Sequence, residues 1–352
     1  MNRGRRAFIS GTAFAIVGAA LGVRAITPVS GQATSEKIPF SDTATFVWNP
    51  EYSFNWANEG VYAILKELHP SPIAKYEHLY HWLKSEGVPE SEFTASEPLT
   101  QDDFLRAHTK EYIDSLEKLA NSYRGYGGLL NGENPIDPHI LNFVKASCAG
   151  TYQAARIALE QGSGMNLSGG FHHAFPDHAE GFCHLNDVAI AIKKLQHEGL
   201  IRKAMIVDVD LHHGNGNAYT FYDDPLVSIL DIYQEDNYPE QKVPIDFPIP
   251  LLSTEGIDND RYLSELHAAL PPALESFKPD IVFYLNGADP YQEDILGDFQ
   301  LTIKGLEERD RFVLETTKAM GIPTAVVLAG GYARIMQDVV AVHGHCAKII
   351  RE

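Results

Sequence analysis

Cys148, Cys183 and Cys346 are the only cysteines in 352 residues. Three are too few for a disulfide framework, so the fold must be held by its core. Basic residues are scarce as well: Lys and Arg number 28 against 47 Asp and Glu, a formal charge of −19. A body this acidic repels phosphate backbones, and no basic stripe is present to override the repulsion, so no nucleic-acid partner is expected. The chain lacks internal repeats and low-complexity tracts, and beyond its amino terminus it has no apolar run long enough to span a bilayer. No coiled-coil pattern or exposed apolar helix announces a partner chain, which leaves the oligomeric state open. What remains is ordinary globular composition, 44% hydrophobic and 21% charged.

The amino terminus reads as an address. Residues 1–33 contain Arg3, Arg5, Arg6 and Arg24, no acid, and an apolar small-residue run from Thr12 to Val23. This is the layout of a secretory signal. Arg5-Arg6-Ala7-Phe8-Ile9 resembles a twin-arginine signal, whose route exports folded proteins. Cleavage after Ala25 or after Ala33 is expected; Gly31 and the absence of a nearby charge favour Ala33. Loss of the four arginines takes the charge from −19 to −23. The expectation is an exported, periplasmic or extracellular protein without a stable membrane anchor. An uncleaved amino-terminal anchor is the alternative.

Within residues 34–352, short apolar runs read as buried parallel strands: 165–167, 204–209, 226–232, 281–285 and 324–328. Helical spacing occupies 187–197, 261–277, 306–320 and 336–350, and further helices are expected over 60–69, 71–85 and 101–122. Strand alternating with helix predicts one α/β domain with a central parallel β-sheet flanked by helices on both faces. Sites in such sheets gather at the carboxyl ends of strands. The polar clusters at 169–173, 208–215, 286–289 and 330–332 fall there.

Seven of the fifteen histidines lie between His172 and His213. His172 and His173 are adjacent, and two neighbouring imidazoles reach one site only from irregular backbone, which Gly169 and Gly170 permit. Alone they would equally be surface or core histidines. Asp208, Asp210 and His212 alternate, so extended backbone puts all three on one side. Two carboxylates and an imidazole after an apolar strand call for a divalent cation, an exposed acidic strand end being the plain alternative. Asp289, after the strand 281–285 and a glycine turn, supplies a third ligand beside Asp210 and His212. Such a set leaves coordination positions for water and substrate, as in catalytic metal sites. It suits zinc or iron(II). His172 and His173 are the groups available to move protons, and Tyr332, after Gly330-Gly331, is either a packing tyrosine or a donor to a developing oxyanion.

The ordered motifs His172-His173, Gly181-Phe182-Cys183, Asp208-Val209-Asp210-Leu211-His212-His213-Gly214, Gly287-Ala288-Asp289 and Gly330-Gly331-Tyr332 resemble the zinc-dependent histone deacetylase family. The similarity runs from His69-Pro70 and His108-Thr109 to the carboxyl end, and the stretch 227–233 with the short chain is most similar to the class IV branch. The resemblance implies an arginase/deacetylase fold and hydrolysis of acyl-amides. It implies Zn2+ (or Fe2+) on Asp210, His212 and Asp289, proton transfer by His172 and His173, and oxyanion stabilisation by Tyr332. Asp208 would stand behind His172 and share a structural K+ with Asp210, His212 and Ser228. Gly181, Phe182 and Gly331 would contact substrate. Many relatives have an acid where this chain has Asn215, so the second histidine should be a neutral base. Glu180 and Pro290 lie near the site with no role assigned. Cys183 reads as packing rather than as a nucleophile.

The expected partner is a small-molecule or peptide acyl-amine, such as acyl-lysine or an acetylated polyamine. Two alternatives stand beside it: a two-manganese, ureohydrolase-like amidinohydrolase, and a non-catalytic binder of acylated ligands on the same fold. The first needs more acids than this chain supplies, and the second leaves the retained ligands, histidines and tyrosine without a purpose.

Overall fold

The computed structural model describes residues 44–53, 73–122, 128–131 and 134–352. The signal reading over 1–33, the helix expected over 60–69 and the His69-Pro70 pair lie outside the described residues.

Eight strands form one sheet with every pairing parallel: β1 (Phe46–Val47), β2 (Phe93–Thr94), β5 (Ser163–Asn166), β6 (Ala204–Asp208), β7 (Val227–Gln234), β8 (Phe247–Leu251), β9 (Ile281–Leu285) and β10 (Thr324–Val327). A separate antiparallel pair joins β3 (Gly128–Leu129) to β4 (Pro135–Ile136). The order across the large sheet is β2-β1-β5-β10-β9-β6-β7-β8. Strands β6, β7, β9 and β10 are buried along their whole length. Continuous apolar runs are what a parallel sheet covered on both faces requires. Four neighbouring central strands, β5, β10, β9 and β6, release their carboxyl ends side by side.

The helices Asp187–His197 and Met336–Ile350 keep the expected bounds, and Asn259–Phe277 and Ile303–Ala319 shift by a few residues. The span expected as one helix from 101 to 122 is two, Gln101–Leu105 and Lys110–Ala120. Thr109 interrupts it: its backbone N–H donates to Pro176 O at 2.8 Å, and its hydroxyl accepts from Tyr112 N to cap a new helix. Pro138–Gln161, 24 residues long, has no counterpart in the sequence reading. It starts with Asp137 as cap (Ile140 N to Oδ1, 2.9 Å) and Pro138 in its first turn, and it ends at Gly162, whose φ is 96°. Among the described residues, no helix is long and apolar enough to cross a membrane.

Candidate active site at the carboxyl ends of four strands

Beyond β6 the chain leaves extended geometry at once, so the expected alternation past Asp208 does not continue. Asp208 turns to His172, and its Oδ2 lies 2.9 Å from His172 Nδ1. Asp210 and His212, on the following loop, meet Asp289 from the loop after β9. The ligand atoms of these three buried residues all lie within 4.8 Å of one another. His212 Nδ1 stands 3.2 Å from Asp210 Oδ1 and 3.0 Å from Asp289 Oδ2. Backbone donors fix the carboxylates: Gly330 N–H to Asp210 Oδ2 (2.7 Å) and Leu211 N–H to Asp289 Oδ1 (3.0 Å). Each ligand loop is thereby tied to a different strand.

The donor chemistry fits a divalent cation. Burial, reinforced by the charge of Asp210, pushes Asp289 up to about 7, so the two carboxylates resist being ionised together. His212 is drawn the other way: burial opposes its charge, yet the bonds to Asp210 and Asp289 carry it up to about 10. A cation shared by the three relieves both strains. Asp210, His212 and Asp289 would hold that ion.

His172 and His173 follow Gly169 and Gly170, which both have left-handed φ values, 82° and 83°. Their rings lie 4.0 Å apart, centroid to centroid. Asp187, at the start of the helix after them, accepts from Gly170 N (3.0 Å), Phe171 N (2.8 Å) and the Thr151 hydroxyl (2.6 Å). That carboxylate fixes the backbone leading into the pair. The environments of the two rings differ. Burial disfavours the charged form of His172, but Asp208 and Asp210 outweigh it and raise the ring to about 9. His173 faces the amide of Asn215, Nδ1 to Oδ1 at 2.7 Å. Burial, then the charge of its neighbour, lowers His173 well below the usual histidine range.

Tyr332 packs its ring 6.2 Å from that of His212 and 6.0 Å from that of Phe182. Burial, with Asp210 and Asp289 next, pushes its phenol far above the ordinary value, so it is a hydroxyl donor at any working pH. Its backbone N–H donates to Asp294 Oδ2 at 2.6 Å, which pins the residue beside Gly331. Gly181 and Phe182 form a turn against His173 and Tyr332.

Other expected residues fall elsewhere. Ser228 pairs in register with Met205, three residues before Asp208, about 10 Å at the strand rise, and its hydroxyl donates to Asp246. The structure therefore does not bring Ser228 to Asp208, Asp210 and His212; Asp231 is level with Asp208. Pro290, bonded to Asp289, turns its carbonyl to Leu301 N, a loop contact. Cys148, Cys183 and Cys346 are buried thiols that form no disulfide, and burial drives Cys148 and Cys346 well above the ordinary thiol range.

Four more residues stand near the site without a sequence motif to mark them. Tyr238 sets its ring 5.0 Å from His173 and 6.2 Å from His212. Asp187 and Asp294 act through backbone N–H groups. Lys75 is buried, its ammonium donates to Ala329 O just ahead of Gly330, and burial lowers it to about 8 against the pull of Asp289 and Asp210.

Residues 69–346 match the histone deacetylase domain. The chain belongs to the histone deacetylase family. An uncharacterized protein of Picosynechococcus is 36% identical over 291 residues, covering 82% of this chain and 95% of that one. Histone deacetylase 2 of Arabidopsis thaliana is 31% identical over 285 residues, covering 79% and 73%. The acetylpolyamine aminohydrolase of Burkholderia pseudomallei superposes with a TM-score of 0.71 at 19% identity, over 87% of this chain and 98% of that one, a likeness of fold. Membership fixes the class of chemistry: metal-dependent hydrolysis that removes acyl groups from acylated amines.

Proposed function

We propose that this deacetylase uses one Zn2+ or Fe2+ held by Asp210, His212 and Asp289 to hydrolyse acyl-lysine side chains or acetylated polyamines. The convergence of those three ligands beside a histidine pair carries the reading. When bound, such an ion acidifies water and polarises the amide carbonyl.

The chain's own groups do the rest. His173, backed by the neutral Asn215 amide, takes the proton of the attacking water. His172, backed by the Asp208 carboxylate, holds positive charge beside the reacting atoms, gives its proton to the departing amine and regains one from His173 as the cycle closes. Tyr332 donates its hydroxyl hydrogen to the oxygen that becomes negative as the carbonyl turns tetrahedral. Phe182, packed on Tyr332, and Tyr238, packed on His173, would offer the substrate's methylene stem apolar contact. Ligand count supports one ion over two, since among the described residues one such His/Asp group is found.

Purified protein should bind one ion per chain, measured by elemental analysis, and hydrolyse acetyl-lysine peptide or acetylated polyamine. Chelation should abolish turnover, and Asp289→Asn should leave the ion content near zero. Two ions per chain, or full activity without any, would overturn the assignment. A panel of acetyl, butyryl and myristoyl amides fixes the acyl length.

A further inference from the structure

Glu180 is a carboxylate beside the site that the hydrolysis as described does not use. It opens a turn closed by Glu180 N–H to Cys183 O (3.1 Å) and Cys183 N–H to Glu180 O (2.8 Å). Gly181 and Phe182 at the corner both have left-handed φ values, 51° and 65°. A side chain on Gly181 would stand 2.3 Å from His173 Cδ2, so only glycine lets the turn lie against that ring. The same turn aims Glu180 at Asn215. Glu180 Oε1 accepts from Asn215 Nδ2 at 2.6 Å and from the Tyr238 hydroxyl at 2.9 Å.

Donor and acceptor roles then propagate inwards. A carboxylate offers lone pairs only, so the Asn215 amide must turn its NH2 to Glu180 and its oxygen to His173. Gly216 N–H, 3.1 Å from Asn215 Oδ1, holds the amide the same way round. An amide oxygen can only accept, so neutral His173 carries its hydrogen on Nδ1 and keeps its lone pair on Nε2.

We propose that Glu180 is a positioning residue for deacylation: through Asn215 it holds His173 in the Nδ1–H tautomer, leaving Nε2 as the base. The role rests on the assignment of His173 as base under the proposed function. The negative charge sits one hydrogen bond further from the imidazole than a directly bonded acid would. The relay thus orients the base without pairing it to a charge. Tyr238 joins the relay to the substrate's apolar contacts, because the phenol that packs on His173 also donates to Glu180.

Asn215→Asp sets two acceptors 2.6 Å apart where a donor is needed. It should lower kcat by about tenfold or more, because repulsion from Glu180 turns the new carboxylate away from His173 Nδ1. Adding Glu180→Gln supplies an amide NH2 to the new carboxylate and reverses donor and acceptor, so the double variant should recover most of that loss. Recovery on adding a second substitution shows that the two side chains act through one another. Separately, nitrogen-15 histidine spectra of the metal-loaded protein should show a protonated Nδ1 on His173, and Glu180→Leu should shift it towards a tautomer mixture. This readout needs no turnover, so it stands or falls apart from the substrate assignment. A double variant as impaired as Asn215→Asp alone, or a tautomer unmoved by Glu180→Leu, would overturn the relay.

Discussion

The phenol of Tyr332 is held in its protonated form by burial and by two neighbouring carboxylates, and its hydroxyl is its only means of stabilising an oxyanion. Tyr332→Phe should therefore reduce kcat by about 10²- to 10³-fold, the range for loss of one oxyanion donor, with KM and bound ion unchanged. Steady-state kinetics and metal analysis of one preparation check both. Residues such as Tyr332, Asp210 and His172 could be read from the sequence because each stands in a short motif at a strand end. Glu180 could be placed near the site but given no role, and Tyr238 could not be placed at all, because they meet 58 positions apart through loops without periodicity. The role assigned to Ser228 fails on register: an apolar run shows that a strand exists, not which of its residues lies level with Asp208.

Among the elements, the loop carrying the histidine pair is fixed by the first turn of the helix Asp187–His197. Asp187→Asn replaces one acceptor oxygen with a donor against Gly170, Phe171 and Thr151. The unmet bond should lower the unfolding free energy by about 1–3 kcal/mol in urea titrations. The same helix is tied to His108, whose Nε2 accepts from Asn186 N at 2.9 Å, while Asn186 Oδ1 caps Ala189 N. Burial lowers His108 from 6.5 to about 4. Between these values only the unfolded chain takes up the proton, so stability present at pH 7 drains as pH falls through that window, by about 3 kcal/mol in all. His108→Gln keeps an acceptor without titrating and should flatten this part of the stability–pH curve.

The strands buried on both faces were legible as apolar runs, and the missed elements have physical reasons. In β8, Pro248 and Pro250 argue against a strand, yet β8 is an edge where both prolines are exposed and Ile249 and Leu251 point inwards. The helix Pro138–Gln161 is buried on most sides, so it lacks the polar face on which periodicity depends. Thr109 hid a break because capping threonines also occur inside ordinary helices.

At the scale of the molecule, the charge of −19 makes a field that attracts cationic amines. For a charged acetylated polyamine, kcat/KM should fall as salt is raised and the screening length shrinks towards about 10 Å at 0.1 M; for a neutral acyl-amide it should stay level. Equal slopes would show that the field plays no part. Export remains a proposal carried by Arg5 and Arg6. Replacing both with Lys should leave the protein in the cytoplasmic fraction, and its undiminished appearance outside would refute the address.

The sheet order also dictates when the centre can come into being. Strand β5 pairs with β10, whose partner residues lie some 160 positions further along the chain, and β10 in turn pairs with β9. Closure of such distant pairings is slow and comes after local structure. A nascent chain halted before residue 289 would possess Asp210 and His212 but no third ligand. An ion held by all three ligands would thus be gained only once the chain has run past residue 289.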